Sequence, residues 1–496
     1  MTSRTNQSTV LDRRRAGVLL HPTSLPGGIG CGDLGPEVFH FIDFLAHCGV
    51  SVWQVLPLGP THEDRSPYMS LSVLAGNPWL ISLQLLHEWG WLSHHEIGNA
   101  TEADAFAFRR QCLREAGSGF QRNASAEDRR QYQDFVKQHQ YWLDDFALFQ
   151  AIREQQKDRS WMHWPADLRD RTPTALLQAR EQLTDTIDQV RFEQFAFNRQ
   201  WHDVRRYANE RGIQVFGDMP IFVAHDSAEV WANRDCFDLN PDGSARTIAG
   251  VPPDYFSATG QRWGNPHYNW KYMKQDGFRW WINRLRGSLE MFDLIRVDHF
   301  RGFESYWEIK ADAETAMYGH WVKTPGKALF NALLDSFDSL PFVAEDLGTI
   351  TPAVDDLRQK YGWPGMKILQ FAFDGSAENP YLPHNHETNS VVYTGTHDND
   401  TTIGWFNGLP EETKQQVRRY LGCGEEPMPW PLIRSALASV SKLAVIPMQD
   451  LLEMGEGQRM NTPGSSSENW SWRFQWSQVD QALSTRFRDL VTLYGR

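Results

Sequence analysis

Five cysteines in 496 residues, with no Cys-x-x-Cys pair among them, exclude a disulfide framework and a zinc cluster of ordinary spacing. No uninterrupted apolar run approaches the ~18–20 residues needed to span a bilayer, and mean hydropathy is −0.53. Arg13-Arg14-Arg15 is followed only by a short apolar stretch, 16–20, which His21-Pro22 interrupts. That stretch is too short for a signal-peptide core. These absences predict a soluble, cytoplasmic chain with no membrane partner. Basic residues are also in deficit: 49 Lys and Arg against 62 Asp and Glu leave a formal charge of −13. Nucleic-acid binders usually show a basic stripe instead, so no nucleic-acid partner is expected. The chain has no P-loop, no Ser–His–acid signature, no solenoid repeat and no flexible linker.

What is present is aromatic and apolar. Hydrophobic residues make up 41% of the chain, enough for a sizeable core, and there are 21 Trp. Aromatic rings pack well against the apolar faces of sugars, although most buried rings are simply core. Eight strand candidates alternate with helical patterns, at 17–21, 52–58, 213–220, 294–298, 342–345, 367–371, 391–396 and 443–447. Trp281, Ile282, Leu285, Leu289 and Phe292 recur at helical spacing before the fourth candidate, and Leu329, Phe330, Leu333, Leu334 and Phe337 do so before the fifth. Eight such units predict an α/β fold, a (β/α)8 barrel with insertions on its C-terminal face. Its first part is residues 1–60. Residues 61–212 form a mostly helical insertion, and 213–223 carry the third strand. Residues 224–280 are rich in Gly, Pro, Asn and aromatics, which predicts an ordered lid over the active site. Residues 281–496 complete the barrel.

Three strand candidates run into carboxylates: Leu-Ile-Arg-Val-Asp at 294–298, Phe-Val-Ala-Glu at 342–345, and Tyr-Thr-Gly-Thr-His-Asp at 393–398. Parallel barrel strands all end on the catalytic face, so Asp298, Glu345 and Asp398 are expected to converge there. Converging acids suit glycosidic-bond chemistry, with one nucleophile and one proton donor. Side chains alternate along a strand, so Arg296 and Asp298 share a face. A guanidinium beside a carboxylate favours its ionised form, which suits Asp298 to nucleophilic attack. Glu345 has no adjacent Arg in sequence, and a carboxyl near another carboxylate tends to keep its proton, so Glu345 is the better general acid. His397 and Asp398 are placed to hydrogen-bond sugar hydroxyls. A lone Asp at a strand end is most often a helix cap, and Arg296 with Asp298 also fits a structural ion pair. The combination of three such ends with Arg and His beside them favours the catalytic reading.

Other motifs fail on context. Gly30-x-Gly32-x-x-Gly35 is separated from its strand by 22–26, unlike a dinucleotide fingerprint. Asp238-x-Asn240-x-Asp242-Gly243 has Ala249 where a calcium loop needs its bidentate Glu. His94-His95 and His384-x-His386 lack zinc-site spacing.

Several longer segments, in order, carry a family resemblance. They are Gly17-Val-Leu-Leu-His-Pro-Thr-Ser-Leu-Pro, Trp53-Gln-Val-Leu-Pro-Leu-Gly-Pro, Ser66-Pro-Tyr, Gly217-Asp-Met-Pro-Ile-Phe-Val, Gly250-Val-Pro-Pro-Asp-Tyr-Phe-Ser, Gly260-Gln-Arg-Trp-Gly-Asn-Pro and Arg459-Met-Asn-Thr-Pro-Gly. The chain resembles the amylomaltases, or 4-alpha-glucanotransferases (disproportionating enzymes), of the α-amylase superfamily. The resemblance implies Asp298 as nucleophile, Glu345 as general acid/base and Asp398 as transition-state stabiliser. It implies that Arg296 and His397 flank them, that Asp218 binds at the donor site and that Tyr68 stacks on substrate. Asp254, Tyr255, Phe256, Gln261 and Trp263 would belong to a lid loop on the acceptor side. The implied partners are α-1,4-glucans and maltooligosaccharides, with glucose as an acceptor, and the implied scheme requires no cofactor or metal. An α-glucan hydrolase shares the first half of that scheme, and a non-catalytic glucan-binding barrel shares the fold.

Overall fold

The computed structural model describes residues 11–93, 104–253, 257–465 and 469–496. Among these, twelve strands form two sheets: β1 (Arg15–Leu19), β2 (Val52–Gln54), β3 (Gln214–Pro220), β4 (Thr247–Val251), β5 (Gln261–Pro266), β6 (Leu294–Asp298), β7 (Ser305–Lys310), β8 (Gly319–Lys323), β9 (Phe342–Ala344), β10 (Gly365–Ile368), β11 (Ser390–Tyr393) and β12 (Leu443–Pro447). Eight of them, in the order β10-β11-β12-β1-β2-β3-β6-β9, pair in parallel with helices outside, and this is the expected (β/α)8 barrel. The first and last strands of that order meet where Ala344 N–H donates to Pro364 O at 2.9 Å. Asp346 reinforces the seam, accepting from Met366 N–H at 2.7 Å. A side chain at Gly365 would place its Cβ 2.1 Å from Asp346 Oδ2, so this junction requires glycine.

Several strands are shorter than the apolar runs that predict them. The first lies at Arg15–Leu19 instead of 17–21, because His21-Pro22 begins a short 3₁₀ turn. The second ends at Gln54, where Pro57 and Pro60 follow and cannot donate to a ladder. Residues 369–371 form a 3₁₀ turn and leave β10. β11 ends at Tyr393, so Asp398 lies on the following loop. There Thr396 donates both its N–H and its hydroxyl to Asn399 Oδ1, folding a turn that a strand could not make.

Strands β5-β4-β7-β8 form a second, antiparallel sheet that the strand alternation does not predict. It takes two strands from 224–280 and two from the segment after β6. Within 61–212 the main helices are Ala105–Asn123, Ala126–Gln138, Gln140–Gln155 and Thr184–Glu210, and the last leads into β3. Its apolar residues Phe192, Phe195, Phe197, Trp201 and Val204 are buried, while two buried glutamines on the same helix serve the backbone of the loop that carries Tyr68. Gln194 accepts from Gly76 N–H at 2.8 Å and donates to Gly76 O at 2.9 Å. Gln200 pairs likewise with Ser82, at 2.7 and 3.1 Å. Each amide substitutes for a strand partner, satisfying backbone groups that burial would otherwise strand. Among the described residues no helix is long and apolar enough to cross a membrane.

Candidate active site

Asp218 on β3 and Arg296 on β6 are register partners across adjacent strands. Arg296 Nη1 reaches Asp218 Oδ2 at 2.6 Å, and Nη2 reaches Asp298 Oδ1 at 2.9 Å. One buried guanidinium therefore spans two carboxylates, a task that suits its planar fork better than an ammonium. Asp298 closes β6 with its side chain 27% exposed, whereas the Asp218 side chain is fully covered. Tyr68 Oη donates to the same Asp218 oxygen at 2.8 Å, and Asp218 Oδ1 is buried without a partner. Burial pushes Asp218 up in pKa against the pull of Arg296.

Glu345 follows β9, and its N–H still donates to Val297 O at 3.0 Å. Val297 and Ala344 are register partners, so Asp298 and Glu345 occupy the next positions on neighbouring strands. The Glu345 carboxylate accepts from His299 N–H at 2.7 Å and from Leu347 N–H at 2.8 Å. Its pKa is raised to about 7, first by burial and further by Asp298, while Arg296 pulls it down. The neighbouring carboxylate that sequence reasoning invokes is thus the smaller cause, because a linear sequence does not show desolvation. His299 adopts a left-handed backbone, φ 48° and ψ 50°, which turns its N–H back toward Glu345. Burial and then Arg301 hold its imidazole down at about 3, so the ring is neutral.

His397 is buried, and burial lowers its pKa. Its Nε2 lies 3.4 Å from Asp398 Oδ2, a contact between a neutral ring and a carboxylate. Asp398 Oδ1 accepts from Asn461 Nδ2 at 2.6 Å, and Arg459 donates to the Asp398 carbonyl at 2.8 Å. The Tyr68 ring stacks on His397, centroids 5.1 Å apart and 11° from parallel, and Trp470 lies against both rings. Tyr68 feels the charges of Asp218, Arg296, Asp298 and Asp398 together, so residues from four distant parts of the chain meet at one point.

From the lid candidates, Trp263 on β5 meets the His299 ring edge-on at 4.8 Å. Gln261 Oε1 accepts from Trp263 Nε1 at 3.2 Å. Asp254, Tyr255 and Phe256 lie outside the described residues. Sequence reasoning missed His299, Leu347, Asn461 and Trp470. Two of these act through backbone N–H groups, which side-chain identity does not reveal; Asn461 lies in the Arg459–Gly464 segment noted above without a role, and Trp470 lies in a segment without periodicity. Among the described residues no group of three or more His, Cys, Asp or Glu is placed to hold a metal ion.

A parallel eight-stranded barrel whose strand ends present two acids on adjacent strands, one of them raised by burial, and a bridging arginine defines a (β/α)8-barrel enzyme built for acid–base and carboxylate chemistry. A family model described as 4-alpha-glucanotransferase matches residues 20–479, and the chain belongs to that family. It is 48% identical to the 4-alpha-glucanotransferase of Synechocystis sp., over 98% of this chain and 99% of the relative. It is 47% identical to that of Thermus thermophilus, over 96% and 98%. Among solved structures it superposes on an amylomaltase from Streptococcus agalactiae in complex with acarbose. The TM-score there is 0.94 at 39% identity, covering 98% of this chain and all of the other.

Proposed function

We propose that the chain transfers an α-1,4-glucan segment from a donor to the 4-hydroxyl of an acceptor glucan or glucose by retaining double displacement. Glu345 protonates the leaving glycosidic oxygen while Asp298 attacks the anomeric carbon. Glu345 then takes the proton of the acceptor hydroxyl, which displaces Asp298 and rebuilds the bond. Arg296 holds Asp298, and Asp398 with His397 receives sugar hydroxyls that tighten in the transition state. Asp218 is better supported as the group that fixes Arg296 and Tyr68 than as a direct sugar ligand, because its side chain has no exposed surface.

The observation that carries this reading is the position of Glu345 beside Asp298 on adjacent strands, with Glu345 poised near neutrality. Adjacent strands lie ~4.8 Å apart, a spacing compatible with the ~5–5.5 Å between carboxyl groups of retaining enzymes. Trp263, whose ring meets that of His299 edge-on, supports transfer over hydrolysis as an aromatic group able to exclude water near the intermediate. The free cysteines fit a reducing compartment, and the cytoplasm is the proposed location. Incubation with maltotriose tests the reading. Transfer yields glucose and longer chains with no net gain of reducing ends, whereas a steady rise in reducing ends means hydrolysis.

A further inference from the structure

Eight large apolar or aromatic side chains are exposed among the described residues, and three of them, Met317, Tyr318 and Trp321, fall within five consecutive positions. The other five are scattered along the chain, as single exposed apolar residues normally are. The cluster occupies the turn between β7 and β8 and the start of β8, the outer edge of the antiparallel sheet whose opposite edge, β5, carries Gln261 and Trp263. Tyr318 is 82% exposed.

The cluster is held in place from within. The Arg301 guanidinium lies 3.6 Å over the Trp321 ring. Trp307 packs against that ring edge-on at 5.2 Å, and its indole N–H is tied to Ala316 O at 2.9 Å. Arg301 itself donates to Thr349 O and stands two residues after His299, whose N–H holds Glu345. Trp321 is therefore anchored to the same turn that positions the acid.

We propose that the Met317–Trp321 surface is a docking platform for a segment of a long α-glucan, outside the cleft where bonds are exchanged. Exposed rings suit the apolar faces of an uncharged sugar chain, and the sheet that carries them also carries Gln261 and Trp263 at its opposite edge. A second protein copy fits less well. Aromatic side chains bury ~150–250 Å² each, so two rings and one thioether fall short of the ~800 Å² per partner of a stable interface. The edge strand β8 also carries His320 and Lys323, which discourage strand addition.

This proposal rests on the α-glucan reading above. Its test compares the full-length chain with Tyr318→Ala and with Trp321→Ala, by native electrophoresis through gels containing soluble amylose and by kinetics on maltotriose and amylose. The binding arm uses an Asp298→Ala background to stop turnover. Tyr318→Ala is the informative variant, because its ring supports nothing beneath it. The expected result is a rise of roughly fivefold in the amylose dissociation constant and in KM for amylose, as for loss of one aromatic contact, with maltotriose kinetics unchanged. Unchanged retardation by amylose overturns the platform while leaving transfer intact. A dimer that Tyr318→Ala dissolves, with amylose binding unaffected, assigns the surface to a second copy and also overturns it. Absence of any transfer from maltotriose overturns the functional reading itself.

Discussion

The peptide N–H of His299 donates to Glu345 Oε2 at 2.7 Å, so the residue after one proposed catalytic acid fixes the orientation of the other. The left-handed turn at His299 makes this bond possible, and Leu347 N–H secures the second oxygen. Glu345→Gln keeps the shape but removes the transferable proton. It is expected to lower kcat by ~10²–10⁴-fold, the range for losing a general acid. Asp298→Ala is expected to abolish turnover while leaving glucan binding measurable by calorimetry. Unchanged turnover in either variant removes that residue from the mechanism.

The pH dependence follows from the same carboxyl. Its folded pKa is about 7, above its ordinary value, so the protonated form is favoured in the folded state. The proton donor is lost as pH rises through about 7, and kcat/KM is expected to fall over that interval. The linked contribution to stability has the same sign: it is fully present below the unfolded carboxyl's range and is lost as pH rises through about 7. Glu345→Gln removes the titration, so its melting temperature relative to the parent is expected to be higher at pH 8 than at pH 5. A constant difference across that range contradicts the assignment.

Tyr68 makes two separable contacts, a hydrogen bond to Asp218 and a stack on His397. Tyr68→Phe removes only the first and is expected to destabilise the fold by ~1–3 kcal/mol in urea titration. Tyr68→Ala removes both and is expected to raise KM for maltotriose well beyond the Phe variant. Equal KM values in the two variants rule out a role for the ring in substrate stacking.

Gln194 lies in the helical insertion, away from the acids, yet its amide holds both backbone groups of Gly76. Gln194→Leu leaves a buried N–H and C=O without partners, at ~1–3 kcal/mol for each. It is expected to lower the urea midpoint and to raise KM by loosening the Tyr68 loop, with kcat nearly preserved. A fall in kcat alone contradicts this placement.

Trp263 packs edge-on against the ring of His299, whose peptide N–H holds Glu345. Trp263→Ala is expected to increase the ratio of hydrolysis to transfer, read as new reducing ends per glucose transferred from maltotriose. An unchanged ratio removes Trp263 from water exclusion.

The alternation of apolar strands with amphipathic helices, and the change from Val-rich strand to carboxylate at 298 and 345, were readable without coordinates. Both follow from sequence pattern: buried strands are largely apolar, and a carboxylate after an apolar run marks a strand end. The antiparallel sheet was not readable, because its strands are short, mix Gly with polar residues and are joined at the centre by the β4–β7 pairing of residues 57 to 63 apart. The placement of Asp398 on a loop depended on a side chain, Asn399, capturing the backbone that would have extended β11.

The order of residues along the chain determined that Asp298 and Glu345 stand at strand ends and that Arg296 accompanies the first. Only the folded molecule decided that Arg296 joins Asp298 to a covered Asp218, that two backbone N–H groups grip Glu345, and that desolvation more than a neighbouring charge raises it. Identity and spacing are properties of the chain. Solvent exclusion and contact across strands exist only when distant segments pack together.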